Sequence, residues 1–431
     1  MRIVSYYKEK KLLPKIMEQE SIYNNSNTKI TMYQIEKFNQ LWKDIQRNVP
    51  YYKNLVKNEK LPTEIKTWDD FSLLPIQNRP LIRGNIDMFT NNRNKPDYWA
   101  TTGGSTGTPL KFPKWNSEIL YTEPVHWLGR RFYNVKRSDK LFLLWGHSHL
   151  LGTGIKKYKN LIIRKLKDKL LGYYRFSAYD LSESKLQDAG KRILKFKPQY
   201  IIGYSKALYL LAKANEYRKK EFHSLNLKCV IGAAEGFDSI EDKNFVEEVF
   251  GCPVALEYGS IETTVMAYTH PQGGYKVFWA NNILEGIPTE NGKDKLLITS
   301  LYHKAFPLIR YDIGDIVTDA VKDENSIVSF QDIFGRDNDF VILEDGTTLH
   351  GGLFNHAIRT EKKVISFQVH QLKNSELVIY LKCSSPLSNA EIDGILIRLS
   401  KIDNRLSSCE IKQVKQLKQT VAGKTKWLIR E

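Results

Sequence analysis

The sequence predicts an α/β protein: a large N-terminal unit built on a mainly parallel sheet, followed by a smaller α+β unit. Three observations carry this. Short apolar runs rich in β-branched and aromatic residues recur at Phe142–Trp145, Tyr200–Ile202, Cys229–Ile231 and Val254–Glu257, with helix-like segments between them. That alternation builds parallel sheets covered by helices. After about residue 270 the runs pair instead: Tyr275–Ile283 and Lys295–Tyr302 flank a turn-rich ENGKD segment, which reads as a β-hairpin. From Gly335 onward come short strands and one helical stretch, Asn389–Leu399. The main boundary is placed at Gly335–Asp339, giving domains 1–335 and 336–431.

The individual elements follow from local pattern. Ile35, Phe38, Leu41, Trp42 and Ile45 recur at helical spacing and predict an amphipathic helix over Met32–Asn48, after a polar YNNSNTK loop. A second helix is expected from Asp180, with Glu183 as its capping-box partner, ending before Pro198. Gly203–Ser205 opens another, ALYLLAKANEY. Gly154–Leu171 carries seven Lys/Arg against one Asp, with Leu161, Ile162, Leu166 and Leu170 near helical spacing. The favoured expectation is a core-packed helix with a solvated cationic face; the alternative is a helix lying on an anionic membrane.

Composition narrows the function classes. The 431 residues are 42% hydrophobic and 12% aromatic, enough for a large core and incompatible with wholesale disorder. No apolar run approaches the ~18–20 residues that span a bilayer. The opening MRIVSYYKEKKLL lacks an apolar stretch followed by a small-residue cleavage site, so no secretory signal is expected. Four cysteines without a C-x-x-C pair make neither a disulfide framework nor a cysteine-built zinc site. The expected location is cytoplasmic, with peripheral contact at the inner membrane face through residues 154–171 as the open addition. The +17 formal charge is spread widely, and no zinc-finger, ribonucleoprotein or basic-zipper signature accompanies it, which argues against nucleic acid as a partner.

The residues suited to chemistry are scattered. Thr101–Phe112, TTGGSTGTPLKF, interleaves glycines with hydroxyls, a composition that can wrap phosphate oxygens and equally suits a surface connection. It is not a Walker loop, because Thr108 and Pro109 follow Gly107. Glu257–Thr263, EYGSIET, reads as a strand ending in a glycine turn with Glu262 just past it. A carboxylate at a strand end is well placed for Mg²⁺, and it is equally an ordinary loop glutamate. RYDIGD supplies Asp315, GRDNDF supplies Arg336 at the predicted boundary, and TVAGK puts Lys424 near the C-terminus.

Taken in order, TGGSTGTP, GAAE, YGSIE, RYDIGD, GRDND and TVAGK resemble the adenylate-forming ligase superfamily. The similarity is to its short phenylacetate-CoA ligase branch and the CapK-like capsular-polysaccharide relatives. NVPYYKNL and IIGYSKALYLLA add to it, and the resemblance covers nearly the whole chain. It implies the acyl-adenylate-forming ligase fold, with a small mobile C-terminal domain. Thr102, Gly103, Gly104, Ser105, Thr106 and Gly107 would lie over the ATP phosphates. Gly232–Glu235, with Ala234 and Glu235 among them, would pass beside the adenine and Tyr258 would flank it, with Gly259 and Ser260 also binding ATP. Glu262 would hold Mg²⁺, Asp315 would take the ribose hydroxyls with help from Arg336, and Lys424 would reach the α-phosphate and the attacking carboxylate. The implied cofactors are ATP and Mg²⁺, with CoA as one acceptor. The sequence departs from the family at Ile261, where Thr or Ser usually precedes the Glu, and at Asn338, where the hinge usually carries a carboxylate.

The expected partners are a carboxylic acid and an acceptor thiol, amine or sugar, with cell-surface polysaccharide assembly as the setting. A cytosolic aromatic acid–CoA ligase and a non-catalytic protein retaining the fold are the alternatives. The acyl pocket is expected near Trp145, His147 and Tyr204. His147 and His149 share a strand face but lack nearby ligands, so no metal pair is expected of them. His350 and His356 read as turn and surface residues. Cys252 has no activating neighbour in sequence, and no G-x-S-x-G signals a serine hydrolase.

Overall fold

The computed structural model describes the chain except residues 1–2, 26, 59, 102–109, 147–153, 290–291, 337–339, 351–352, 355–356, 359, 419–424, 426 and 431. The side chains of residues 3–6, 8, 154–158, 336, 340, 348 and 350 are likewise outside the description. The chain divides into two compact units, the first built mainly from residues up to Gly335, the second mainly from Arg336 onward.

Four helices or helical turns open the first unit after α1 (Ile3–Asn24) and α2 (Ile30–Asn48): α3 (Pro50–Lys57), α4 (Trp68–Ser72), α5 (Arg79–Gly84) and α6 (Ile86–Phe89). The five apolar positions expected of α2 are all buried, packed with Ile283, Leu301 and Ile309. Full burial of such side chains stabilises by about 1.5–3 kcal/mol each. A short ribbon, β1 (Tyr98–Thr101) with β2 (Lys111–Lys114), precedes α7 (Ile119–Arg131).

The parallel core then forms from β3 (Leu141–Trp145), α8 (Gly154–Leu171), β4 (Tyr173–Ser177), α9 (Glu183–Phe196), β5 (Tyr200–Tyr204), α10 (Ser205–Ala214), α11 (Lys219–His223), β6 (Cys229–Ala233), α12 (Ile240–Phe250) and β7 (Val254–Ser260). Antiparallel strands complete it: β8 (Thr264–Thr269), β9 (Tyr275–Val277), then β10 (Asn282–Pro288), β11 (Asp294–Ser300), β12 (Tyr311–Thr318), β13 (Val321–Asp323), β14 (Ser326–Phe330) and β15 (Asp332–Arg336). One nine-stranded sheet runs β13-β14-β9-β8-β7-β6-β5-β3-β4, parallel from β7 to β4 and antiparallel beyond; a four-stranded sheet runs β10-β11-β12-β15. Apolar clusters fill both faces of the parallel half, as continuous apolar strands require.

The second unit pairs β16 (Phe340–Ile342) with β17 (Thr348–His350) and orders a four-stranded sheet β20-β19-β18-β21 from β18 (Val364–Gln371), β19 (Leu377–Cys383), β20 (Glu410–Gln413) and β21 (Leu428–Arg430). The helix α13 (Asn389–Ser400) begins with a capping box, Ser388 with Glu391, and buries Ile395 and Leu399.

Three expectations are corrected. The helix expected from Asp180 begins at Glu183, because the Asp180 carboxylate accepts the Ser182 N–H at 3.0 Å and closes its own turn first. In the hairpin, β11 pairs with β10 over Asn282–Pro288, whereas Tyr275–Val277 belongs to the nine-stranded sheet beside β8. Finally, α8 is not core-packed through its apolar stripe: Ile162, Leu166 and Leu170 are exposed. Among the described residues no helix is long and apolar enough to cross a membrane, and all four cysteines are free.

Candidate active site

The carboxyl ends of β3, β5, β6 and β7 lie side by side in the parallel sheet, the edge where open α/β sheets bind ligands. At the first two, the rings of Trp145 and Tyr204 pack at a 33° tilt with centroids 4.2 Å apart. Past β6 the backbone turns through Ala234 with φ +70°. The Ser205 hydroxyl donates to the Glu235 carbonyl at 2.8 Å, and the Lys206 N–H donates to the Glu235 carboxylate at 3.3 Å. Glu235 thus sits at the N-terminus of α10, where negative charge is favoured. Gly232 makes this approach possible, since a Cβ there would stand 2.5 Å from the Ser205 hydroxyl.

At β7 the chain reverses into β8 through Ile261–Thr263. Gly259 permits the tight crossing: a Cβ would lie 2.0 Å from the Thr264 carbonyl oxygen. Ser260 and Thr263 lock the turn reciprocally, each backbone N–H donating to the other's hydroxyl at 3.2 and 3.1 Å. The residue between, Ile261, is exposed, whereas Glu262 is 3% exposed. Both hydroxyls near the Ile261 departure are therefore engaged in holding the turn.

Glu262 is gripped twice. Its carboxylate lies 3.2 Å from the Arg79 guanidinium, which also donates to the Tyr311 hydroxyl at 3.1 Å. Its carbonyl accepts the Lys304 ammonium at 2.6 Å. Lys304 is 2% exposed; burial pushes its pKa down to about 8, while Glu118 and Glu262 work in the opposite direction. Burial also lowers the pKa of Lys114, helped by the Lys304 charge. Glu118 accepts the Trp115 and Ala305 N–H groups at 3.0 and 3.1 Å. Across the site, the Tyr258 hydroxyl donates to the Asp315 carboxylate at 2.7 Å; both residues are buried.

Among the described residues no three His, Cys, Asp or Glu side chains converge to hold a metal alone. A single hard carboxylate fits Mg²⁺, which keeps several waters and shares phosphate oxygens. Glu262, whose carboxylate already faces Arg79 at 3.2 Å, would be the carboxylate of this turn to hold it.

The structure therefore brings Trp145 and Tyr204 together, Ala234 and Glu235 beside α10, and Tyr258 against Asp315, with Gly259, Ser260 and Glu262 on the adjoining turn. Thr102, Gly103, Gly104, Ser105, Thr106, Gly107, His147 and Lys424 lie outside the described residues, as does the Arg336 side chain. Arg79, Lys304, Tyr311 and Glu118 escaped sequence reasoning. Lys304 alone left a trace, a lone charge inside the apolar run LYHKAFPLI, which demands a buried partner. The arginine of RYDIGD is structural: Arg310 grips Glu285 at 3.0 Å and the carbonyl of Leu74 at 2.9 Å.

A second buried charge cluster lies on the α7 side of β7. The Glu257 carboxylate is 2.8 Å from His126 and 3.8 Å from Arg130. Burial raises its pKa, but the two basic neighbours outweigh that and leave it at about 2.

This chain has the fold of the adenylate-forming ligase superfamily. It is similar to 2-hydroxyisobutyryl-CoA ligase solved in the postadenylation state in complex with R3-HIB-AMP, with a TM-score of 0.68 at 15% identity, over 92% of this chain and 89% of that one. It is also similar to ATP-bound MatB from Rhodopseudomonas palustris, with a TM-score of 0.51 at 12% identity, over 78% and 68% of the two chains. In sequence it is similar to Protein CapK of Staphylococcus aureus: 24% identical over 386 residues, covering 85% of this chain and 80% of CapK. No protein-family model matches it.

Proposed function

We propose that the protein activates a carboxylic acid with ATP. The acid's oxygen attacks the α-phosphorus, the bond to pyrophosphate breaks, and an acyl-adenylate forms. A nucleophile then attacks the acyl carbon and AMP leaves. The observation that carries this reading is the pairing of Tyr258 with Asp315 beside the turn that holds Glu262, on a fold shared with acyl-adenylate complexes.

Each residue has a task in this reading. Asp315, oriented by Tyr258, accepts hydrogen bonds from the ribose hydroxyls, and Arg336 donates to the ribose oxygens. Ala234, Glu235, Gly259 and Ser260 line the nucleotide, and Thr102–Gly107 supply N–H and hydroxyl donors to phosphate. Glu262 holds Mg²⁺, which supplies charge neutralisation at the phosphate oxygens. Lys424 stabilises charge on the α-phosphate. Trp145, Tyr204 and His147 receive the acid.

The acceptor follows one of two readings. The resemblance to CapK-like capsular relatives supports an amine or sugar hydroxyl in cell-surface polysaccharide assembly, in the cytoplasm. A thiol is supported by the similar 2-hydroxyisobutyryl-CoA ligase, solved with 2-HIB-AMP and CoA.

The test is pyrophosphate release from ATP and Mg²⁺ across a library of carboxylic acids. Release dependent on one acid, falling about 10²–10³-fold in Glu262→Gln and in Lys424→Ala, is expected. Silence across the library with ATP binding intact would point to an acid outside it, whereas silence with no ATP binding would identify a non-catalytic protein. Adding CoA or an amino sugar to the competent acid then separates the acceptors by the product formed.

A further inference from the structure

The exposed face of α8 remains unabsorbed by the chemistry. Its inward side is anchored: Asp168 is buried and accepts the Arg175 guanidinium of β4 at 2.8 Å, and Leu161, Arg164 and Leu171 are partly covered. The opposite side is apolar. Ile162 is 60% exposed, Leu166 59%, Leu170 42% and Ile163 39%. At 3.6 residues per turn, Ile162, Leu166 and Leu170 form a single stripe with Ile163 beside it. Exposed lysines border it: Lys165 and Lys169 on one flank, Lys167 on the other, and Lys159 a turn earlier.

We propose that this stripe docks the protein on an anionic membrane surface, with α8 lying in the plane of the interface. Four adjacent large aliphatic side chains left in water demand a cover. The bordering lysines can bury their stems along the stripe while their ammonium groups reach lipid phosphates. Each lysine near such a surface strengthens binding about fivefold. A second copy of the chain is a poor occupant, because a two-fold contact would bring this lysine border against itself. Nucleic acid fits no better, since the apolar side chains occupy the centre of the patch and the lysines only its edge.

The experiment is flotation of the full chain with vesicles of pure phosphatidylcholine and with equimolar phosphatidylcholine–phosphatidylglycerol. Binding at least tenfold stronger to the anionic vesicles, weakening with salt, is expected. The Ile162→Ser/Leu166→Ser/Leu170→Ser variant should lose tenfold or more of it at an unchanged melting temperature, because these side chains contribute little to the core. A second variant, Lys165→Ala/Lys167→Ala/Lys169→Ala, should bind both vesicles equally weakly. Equal binding of wild type and the serine variant, or no preference for anionic lipid, overturns the proposal. A dimer in sedimentation that the serine substitutions dissolve, without vesicle binding, assigns the stripe to a second copy instead.

Discussion

The Tyr258 hydroxyl and the Asp315 carboxylate meet at 2.7 Å although they belong to different sheets, β7 of the nine-stranded sheet and β12 of the four-stranded one. The bond ties the two sheets at the place where the nucleotide is proposed to bind. Tyr258→Phe removes one charge-assisted hydrogen bond from a buried carboxylate, a loss of about 1.5–3 kcal/mol. Urea unfolding should show that loss, and titration with ATP should show weaker binding in the same variant.

Arg79 and Glu262 form a partly buried ion pair, in which Glu262 is the more buried partner. Arg79→Ala removes the charge-assisted bond and is expected to destabilise the fold by about 1.5–3 kcal/mol. The double variant Arg79→Ala/Glu262→Gln should recover much of it. Stability measured across this double-mutant cycle checks the coupling.

Lys304 is protonated below about pH 8 in the folded chain and below about 10.5 when unfolded. Between those values the unfolded chain binds more protons, so stability should rise with pH through that window. The increment is roughly 3 kcal/mol when complete. In Lys304→Met the rise should vanish; unfolding followed from pH 7 to pH 10 in both proteins reads the difference.

Glu257 has the opposite sign. Its folded pKa of about 2 lies below the ordinary 4.5, so its contribution is full above the ordinary value and is lost as pH falls through the folded one. Glu257→Gln should flatten acid unfolding between those limits and lower the melting temperature at neutral pH.

Much of the fold was legible because parallel strands buried on both faces must be continuously apolar, as Tyr200–Ile202 and Cys229–Ile231 are. Residues within one turn were legible for the same local reason: Tyr258, Gly259, Ser260 and Glu262 stand within a single short motif. Partners chosen by the tertiary fold were not. Nothing near Arg79 signals a carboxylate 183 residues away. The hairpin arms were misjudged because Tyr275–Val277 and Asn282–Pro288 are both strand-like, and only tertiary pairing assigns them to separate sheets. The stripe of α8 was misjudged because helical periodicity marks an apolar face without saying what that face meets.

The double grip on Glu262 also dictates when the protein can acquire its site. Arg79 is synthesised long before the turn, and Lys304 emerges 42 residues after it. A nascent chain that has completed β7 still lacks the ammonium that holds the Glu262 carbonyl and the Asp315 that Tyr258 requires. Contacts this distant close late. Unfinished chains on the ribosome therefore lack the proposed nucleotide site, and on that proposal truncation anywhere before β12 should abolish ATP binding.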